Sequence, residues 1–86
     1  MTETKEKDAQ FLEMIVNSIV DNKEAVSIER KVDEMGVLLT LVVAKEDMAQ
    51  VVGKAGRTAG AIRTLLRVVG MKSDARVNLK INEPEA

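Results

Sequence analysis

Gly53-Lys54-Ala55-Gly56-Arg57 is the stretch of this 86-residue chain whose residue types and spacing could do chemistry. Two glycines frame two residues, with one cation inside the frame and one just after it. Glycine reaches backbone angles closed to other residues and lets another backbone come close. A helix starting at Arg57 would offer unpaired N–H groups and the positive end of its dipole in its first turn. Lys54 and Arg57 add charge at the same spot, and the combination suits a phosphodiester backbone. It also suits a plain connector between two helices, so the loop alone does not decide. A nucleotide-binding phosphate loop is excluded. That motif needs G-x-x-x-x-G-K-[ST], whereas Ala55 follows Lys54 and Met48 stands five positions before Gly53.

The residues after the loop strengthen the phosphate reading. Projected at about 100° per residue, helix 57–70 puts Ala59, Ile62, Leu66 and Val69 at the centre of a core face. Arg57, Gly60, Arg63, Thr64 and Arg67 fall together on another side. Gly60 among the arginines keeps that surface low, as a closely apposed molecule would require. A solvated charged face is the ordinary alternative. Residues 48–82 hold seven Lys/Arg and one acidic residue, so few local partners exist to neutralise it. The apolar arc of this helix also takes in Ala61, Leu65 and Val68, about half the circumference and more than one core-facing stripe needs. Two readings stay open for that excess: contact with a second chain, or burial under the first helix.

The elements that must position these residues follow from periodicity. Phe11, Leu12, Ile15, Val16 and Ile19 have helical spacing, which predicts a helix from Asp8 to Val20. Val26, Ile28 and Val32 alternate with polar residues as in a half-buried strand, and Arg30 interrupts that face, which predicts an edge position. After a tight connection at Glu34-Met35-Gly36, the apolar run Val37–Val43 predicts a central, covered strand. A short helix over Lys45–Val52 has Met48, Val51 and Val52 on one side and Glu46 and Asp47 in its first turn. The helix after the loop is expected to end at Gly70, read as a C′ residue. Arg76–Ile81 alternates as a third strand. The order α-β-β-α-α-β predicts a two-layer α+β domain, three helices on one face of a mixed three-stranded sheet. The last strand, reached through a crossover, should run parallel to strand 37–43. Residues 8–82 are expected to form this single domain, between tails at 1–7 and 83–86 expected to be flexible.

Composition narrows the function. The chain has no Cys, His, Trp or Tyr and one aromatic residue, Phe11. No disulfide framework, thiolate or imidazole metal site, or histidine-assisted catalysis can be built. An enzyme is therefore not expected, and no cofactor or metal is implied. Base-stacking aromatic platforms are excluded as well. The net charge of −1 argues at first against nucleic acid, but it hides a segregation. Residues 1–47 carry a balance of −5 and residues 48–82 a balance of +6, and a local basic field attracts phosphate whatever the total. No apolar run approaches the roughly 18 residues of a membrane span, and no targeting signal is visible. A cytoplasmic protein without membrane or small-molecule partners is the expectation.

The string Val52-Gly53-Lys54-Ala55-Gly56-Arg57-Thr58-Ala59-Gly60-Ala61-Ile62-Arg63-Thr64-Leu65-Leu66 resembles the signature of a KH domain. The element order matches the type II variety. Size and the GRTxxAIRT string are most similar to the small single-KH bacterial RNA-binding proteins of the KhpA group. The resemblance covers roughly residues 8–82. It implies a clamp for the backbone of about four nucleotides of single-stranded RNA at Gly53, Lys54, Ala55 and Gly56. Val52, Arg57, Thr58, Gly60, Arg63 and Arg67 flank that clamp. Base-contacting apolar residues would come from Val52 and strand 37–43. Val52 departs conservatively from the usual Ile, and Ala55 leaves the loop a single cation, which implies weak, salt-sensitive binding. The resemblance further implies an RNA-chaperone or post-transcriptional role. It implies pairing too, with itself or with a second KH protein of the Jag/KhpB type, for which Ala61, Leu65 and Val68 are the candidate surface. A protein-interaction adaptor using the apolar face of helix 57–70 is the alternative, and single-stranded DNA remains possible in place of RNA.

Overall fold

The computed structural model describes residues 6–82; the tail segments 1–5 and 83–86 lie outside the described residues. Helix α1 spans Lys7–Ile19, so Lys7, read as tail, opens the helix. Its apolar stripe buries Ala9, Leu12 and Val16 and half-buries Phe11, Ile15 and Ile19. Val20 then turns to extended backbone. Strands β1 (Ser27–Asp33) and β2 (Gly36–Val42) pair antiparallel, with Ile28 opposite Leu41 and Val32 opposite Val37. Strand β3 (Val77–Asn82) lies parallel to β2, with Val37 opposite Val77 and Leu39 opposite Leu79. The order β1-β2-β3 makes β2 central. Between β2 and β3 the chain passes through α2 (Met48–Val52) and α3 (Arg57–Lys72). The outcome is the expected α+β domain with a mixed three-stranded sheet, whose core joins Leu12 and Val16 of α1, Leu39 and Leu41 of β2, Val51 of α2 and Leu66 of α3, all fully buried.

Four local expectations are corrected. The run 37–43 is covered on one side only: Val37, Leu39, Leu41 and Val43 are buried, while Leu38 is exposed and Thr40 and Val42 are half-buried. A two-layer fold has one helical layer, and the period-2 pleat sends alternate side chains away from it.

Val32, counted on the apolar face of β1, is 60% exposed near the hairpin turn. Arg30, the interruption on that face, reaches buried Asp8 of α1 through Nε–Oδ1 (3.0 Å) and a second nitrogen to Oδ2 (3.2 Å). This two-point pair neutralises a carboxylate that burial would otherwise penalise. The hydrogen bond to Asp8 raises the guanidinium pKa, so Arg30 stays charged throughout the neutral range.

The short helix expected over Lys45–Val52 is split. Lys45–Asp47 is a 3₁₀ turn and only Met48–Val52 is α-helical.

Gly70 does not end the last helix, which runs on to Lys72. It is buried, and a Cβ there would stand 2.6 Å from the Ala75 carbonyl oxygen and 2.7 Å from a Val77 methyl. Its job is close approach, letting the chain fold back into β3, with Ser73 N–H and Ala75 N–H both donating to the Gly70 carbonyl. Asp74 takes the left-handed conformation in that turn instead (φ 56°).

Candidate nucleic-acid interface

Helix α2 has five residues, too few to be stable alone. Val51, fully buried, and half-buried Met48 and Val52 seat it on the core. Gly53 ends it at φ 81°, ψ 169°, its N–H closing onto the Ala49 carbonyl at 2.9 Å. A 3₁₀ turn over Lys54–Gly56 follows, in which Gly56 N–H donates to Gly53 O (3.0 Å) and Arg57 N–H to Lys54 O. Ala55 (φ 55°, ψ 26°) and Gly56 (φ 75°, ψ 15°) are consecutive left-handed residues, and Arg57 returns to right-handed helix. This change of hand turns Lys54 and Ala55 outward, and both are exposed. At Gly53 a Cβ would stand 2.7 Å from the Thr58 Cβ and backbone nitrogen, so the loop closes on the first turn of α3 only through glycine. No side chain caps α3. The N–H groups that follow Arg57 in its first turn therefore have no capping side chain at the positive dipole end.

From that end, α3 presents the predicted faces. Ala59, Ile62 and Leu66 are buried, joined by Gly70, while Val69 is half-buried. Arg57, Arg63, Thr64 and Arg67 are exposed, and half-buried Gly60 among them has open space where a Cβ would stand. The Thr64 hydroxyl donates to the Gly60 carbonyl (3.0 Å), while the missing Gly60 side chain keeps the helix surface there low. Among the described residues none of Lys54, Arg57, Arg63 and Arg67 is in an ion pair.

Arg63 Nε lies 3.4 Å from the Leu79 carbonyl, a geometry at the long limit of a hydrogen bond. It ties the basic face of α3 to β3, whose outer edge no other strand covers among the described residues. Strand 37–43 was expected to line the groove together with Val52. That strand is flanked on both sides, and Leu39 and Leu41 lie under the helices. The strand beside the arginines is β3, and Val52 keeps its place next to the loop.

The excess apolar arc is resolved as well. Leu65 is 46% and Val68 50% exposed, and Ala61 is exposed, so α1 does not cover them. Two carboxylates escaped the sequence reading as contacts: Asp8, described above, and Asp47, whose Oδ1 and Oδ2 accept from Asp21 N–H and Asn22 N–H. Their signal in the sequence was an acidic residue at the expected start of a helix. No cluster of metal-ligating side chains occurs among the described residues.

Known proteins resemble this chain over most of its length. A family model described as the KH domain of KhpA/KhpB matches residues 9–81. The RNA-binding protein KhpA of Clostridium acetobutylicum is 42% identical over 72 residues, covering 84% of this chain and 96% of that protein. The KhpA of Listeria monocytogenes is 45% identical over 69 residues, 80% of this chain and 91% of its own length. That of Chlamydia pneumoniae is 40% identical over 74 residues, 86% and 95% respectively. None of these matches is to an enzyme; with a match over nearly the whole domain and relatives aligned along almost their full length, the chain belongs to the KhpA/KhpB family of KH-domain proteins.

Proposed function

We propose that this protein binds single-stranded RNA by its sugar–phosphate backbone at Gly53, Lys54, Ala55 and Gly56, and acts in the cytoplasm as an RNA chaperone or post-transcriptional regulator. The observation that carries the reading is the left-handed turn at Ala55 and Gly56 opening directly into an uncapped helix, beside Lys54 and Arg57, which form no ion pair among the described residues. The positive end of α3 and two exposed cations thus meet at the loop, the chemistry that recognises a phosphodiester. Thr58, Gly60, Arg63 and Arg67 extend the contact along α3, and Val52 supplies an apolar wall for a base. The clamp is not a catalyst: it holds a strand without cleaving it.

Pairing belongs to the proposal. Ala61, Leu65 and Val68 form an exposed apolar patch on α3, and a second copy or a KH protein of the Jag/KhpB type would cover it. The same patch favours the second reading, an adaptor that docks on proteins and has little affinity for RNA.

Fluorescence anisotropy with short single-stranded RNA, at low salt and at roughly 0.15 M salt, separates the two. Lys54→Asp/Ala55→Asp is expected to abolish binding while circular dichroism stays that of the folded domain. Unchanged affinity in that variant would leave the adaptor reading standing. A single-stranded DNA competitor of the same sequence reports whether the 2′-hydroxyl matters.

A further inference from the structure

Two carboxylates are buried among the described residues, Asp8 and Asp47, and the RNA clamp uses neither. Asp8 is matched by Arg30. Asp47 has no such cation among the described residues; it is 1% exposed and is met by two backbone amides, Asp21 N–H on Oδ1 at 3.1 Å and Asn22 N–H on Oδ2 at 3.0 Å. A carboxylate is costly to bury unless hydrogen bonds replace its water, and amides donating to an ionised oxygen are strong ones. The side chain joins segments 25 and 26 residues apart, the stretch leaving α1 and the start of α2. It does not cap α2 itself.

That choice matters because α2 is five residues long and takes its orientation from outside. Its anchors are Val51 in the core and Asp47 at its first turn. Gly53 follows Asp47 by six residues, so a tilt at the anchor reappears at the glycine loop. The loop closes on α3 where Gly53, at the end of α2, packs on Thr58. We propose that Asp47 is a positioning residue for the loop: its grip on the Asp21 and Asn22 amides sets the angle at which residues 53–56 meet an RNA phosphate. The inference rests on the RNA-binding reading above.

Asp47→Asn keeps the volume and one acceptor but turns an NH₂ donor toward one of the two amides. Asp47→Ala removes both acceptors. Working well below each melting midpoint, RNA Kd is expected to rise about tenfold in Asp47→Ala and by a smaller factor in Asp47→Asn. The salt slope should stay that of the parent, because no cation is lost. Amide exchange followed by NMR should quicken at residues 48–58 while Leu39, Leu41 and Leu66 keep their protection. A folded Asp47→Asn and Asp47→Ala pair with parental affinity overturns the proposal. So does an affinity loss that merely tracks the unfolded fraction, with loop and core exchange rising together. If Lys54→Asp/Ala55→Asp abolishes binding while the Asp47 variants bind normally, only the positioning role falls. If that loop variant binds like the parent, the RNA reading falls and the positioning role with it.

Discussion

Gly53 and Gly56 both have positive φ, yet they carry different constraints. Gly53 has no room for a Cβ because Thr58 packs against it, whereas Gly56 faces open space and needs only its left-handed angle. Gly53→Ala combines backbone strain with a steric clash and should cost about 2–4 kcal/mol. Gly56→Ala should cost about 1 kcal/mol, the ordinary penalty for a left-handed L-residue. Gly60 behaves oppositely. It sits inside α3 with nothing near its missing Cβ, so Gly60→Ala should stabilise the domain by about 0.5–1 kcal/mol. Chemical denaturation of the three variants checks this order. If RNA lies on the bare backbone at Gly60, the stabilised variant will also bind RNA more weakly. The glycine pattern was legible in the sequence; which glycine was steric and which conformational was not, because that depends on where Thr58 ends up.

At the scale of elements, α3 does three jobs on three faces: core, basic surface and exposed apolar patch. Helical periodicity revealed the core face, the basic face and the excess apolar arc, since residues a turn apart share a face whatever surrounds them, but not that the arc is exposed. Its C-terminal end was misread because glycine is both a helix terminator and the smallest packing residue. Gly70 is the second kind. Gly70→Ala gains helix propensity but drives a methyl into the Ala75 carbonyl and Val77, for a net loss of about 1–2 kcal/mol. In a domain of this size that lowers the melting midpoint by roughly 4–16 °C, readable by circular dichroism. A rise instead would mean that the return turn has slack and that the propensity gain wins.

Across the whole molecule, charge is divided by segment, acidic before residue 48 and basic from 48 to 82. Single-strand binding releases counterions in proportion to the phosphates neutralised. With Lys54, Arg57, Arg63 and Arg67 all engaged, log affinity against log salt should fall with a slope of about −3, and Arg67→Ala should flatten it by about 0.7. A slope near zero would contradict a backbone clamp. The modest affinity expected of one loop would be offset by a second chain, since linked sites raise the local concentration of each other's ligand. Leu65→Asp places a charge in the centre of the apolar patch, so light scattering should show a lower molar mass than for the parent. Equal masses for the two would rule out self-pairing through this face.

Order of elements, the glycine loop, the faces of α3 and the segregation of charge were all determined by the sequence alone, because each is written within a few turns of chain. What only the tertiary structure decided are contacts between distant segments. Arg63 meets Leu79 across 16 residues, Arg30 meets Asp8 across 22, and Asp47 meets Asp21 and Asn22 across 26 and 25. So too with β3 rather than β2 beside the basic face, and with Leu65 left uncovered by α1. Periodicity states which way a side chain points along its own element; only the packing of one element on another states what it points at.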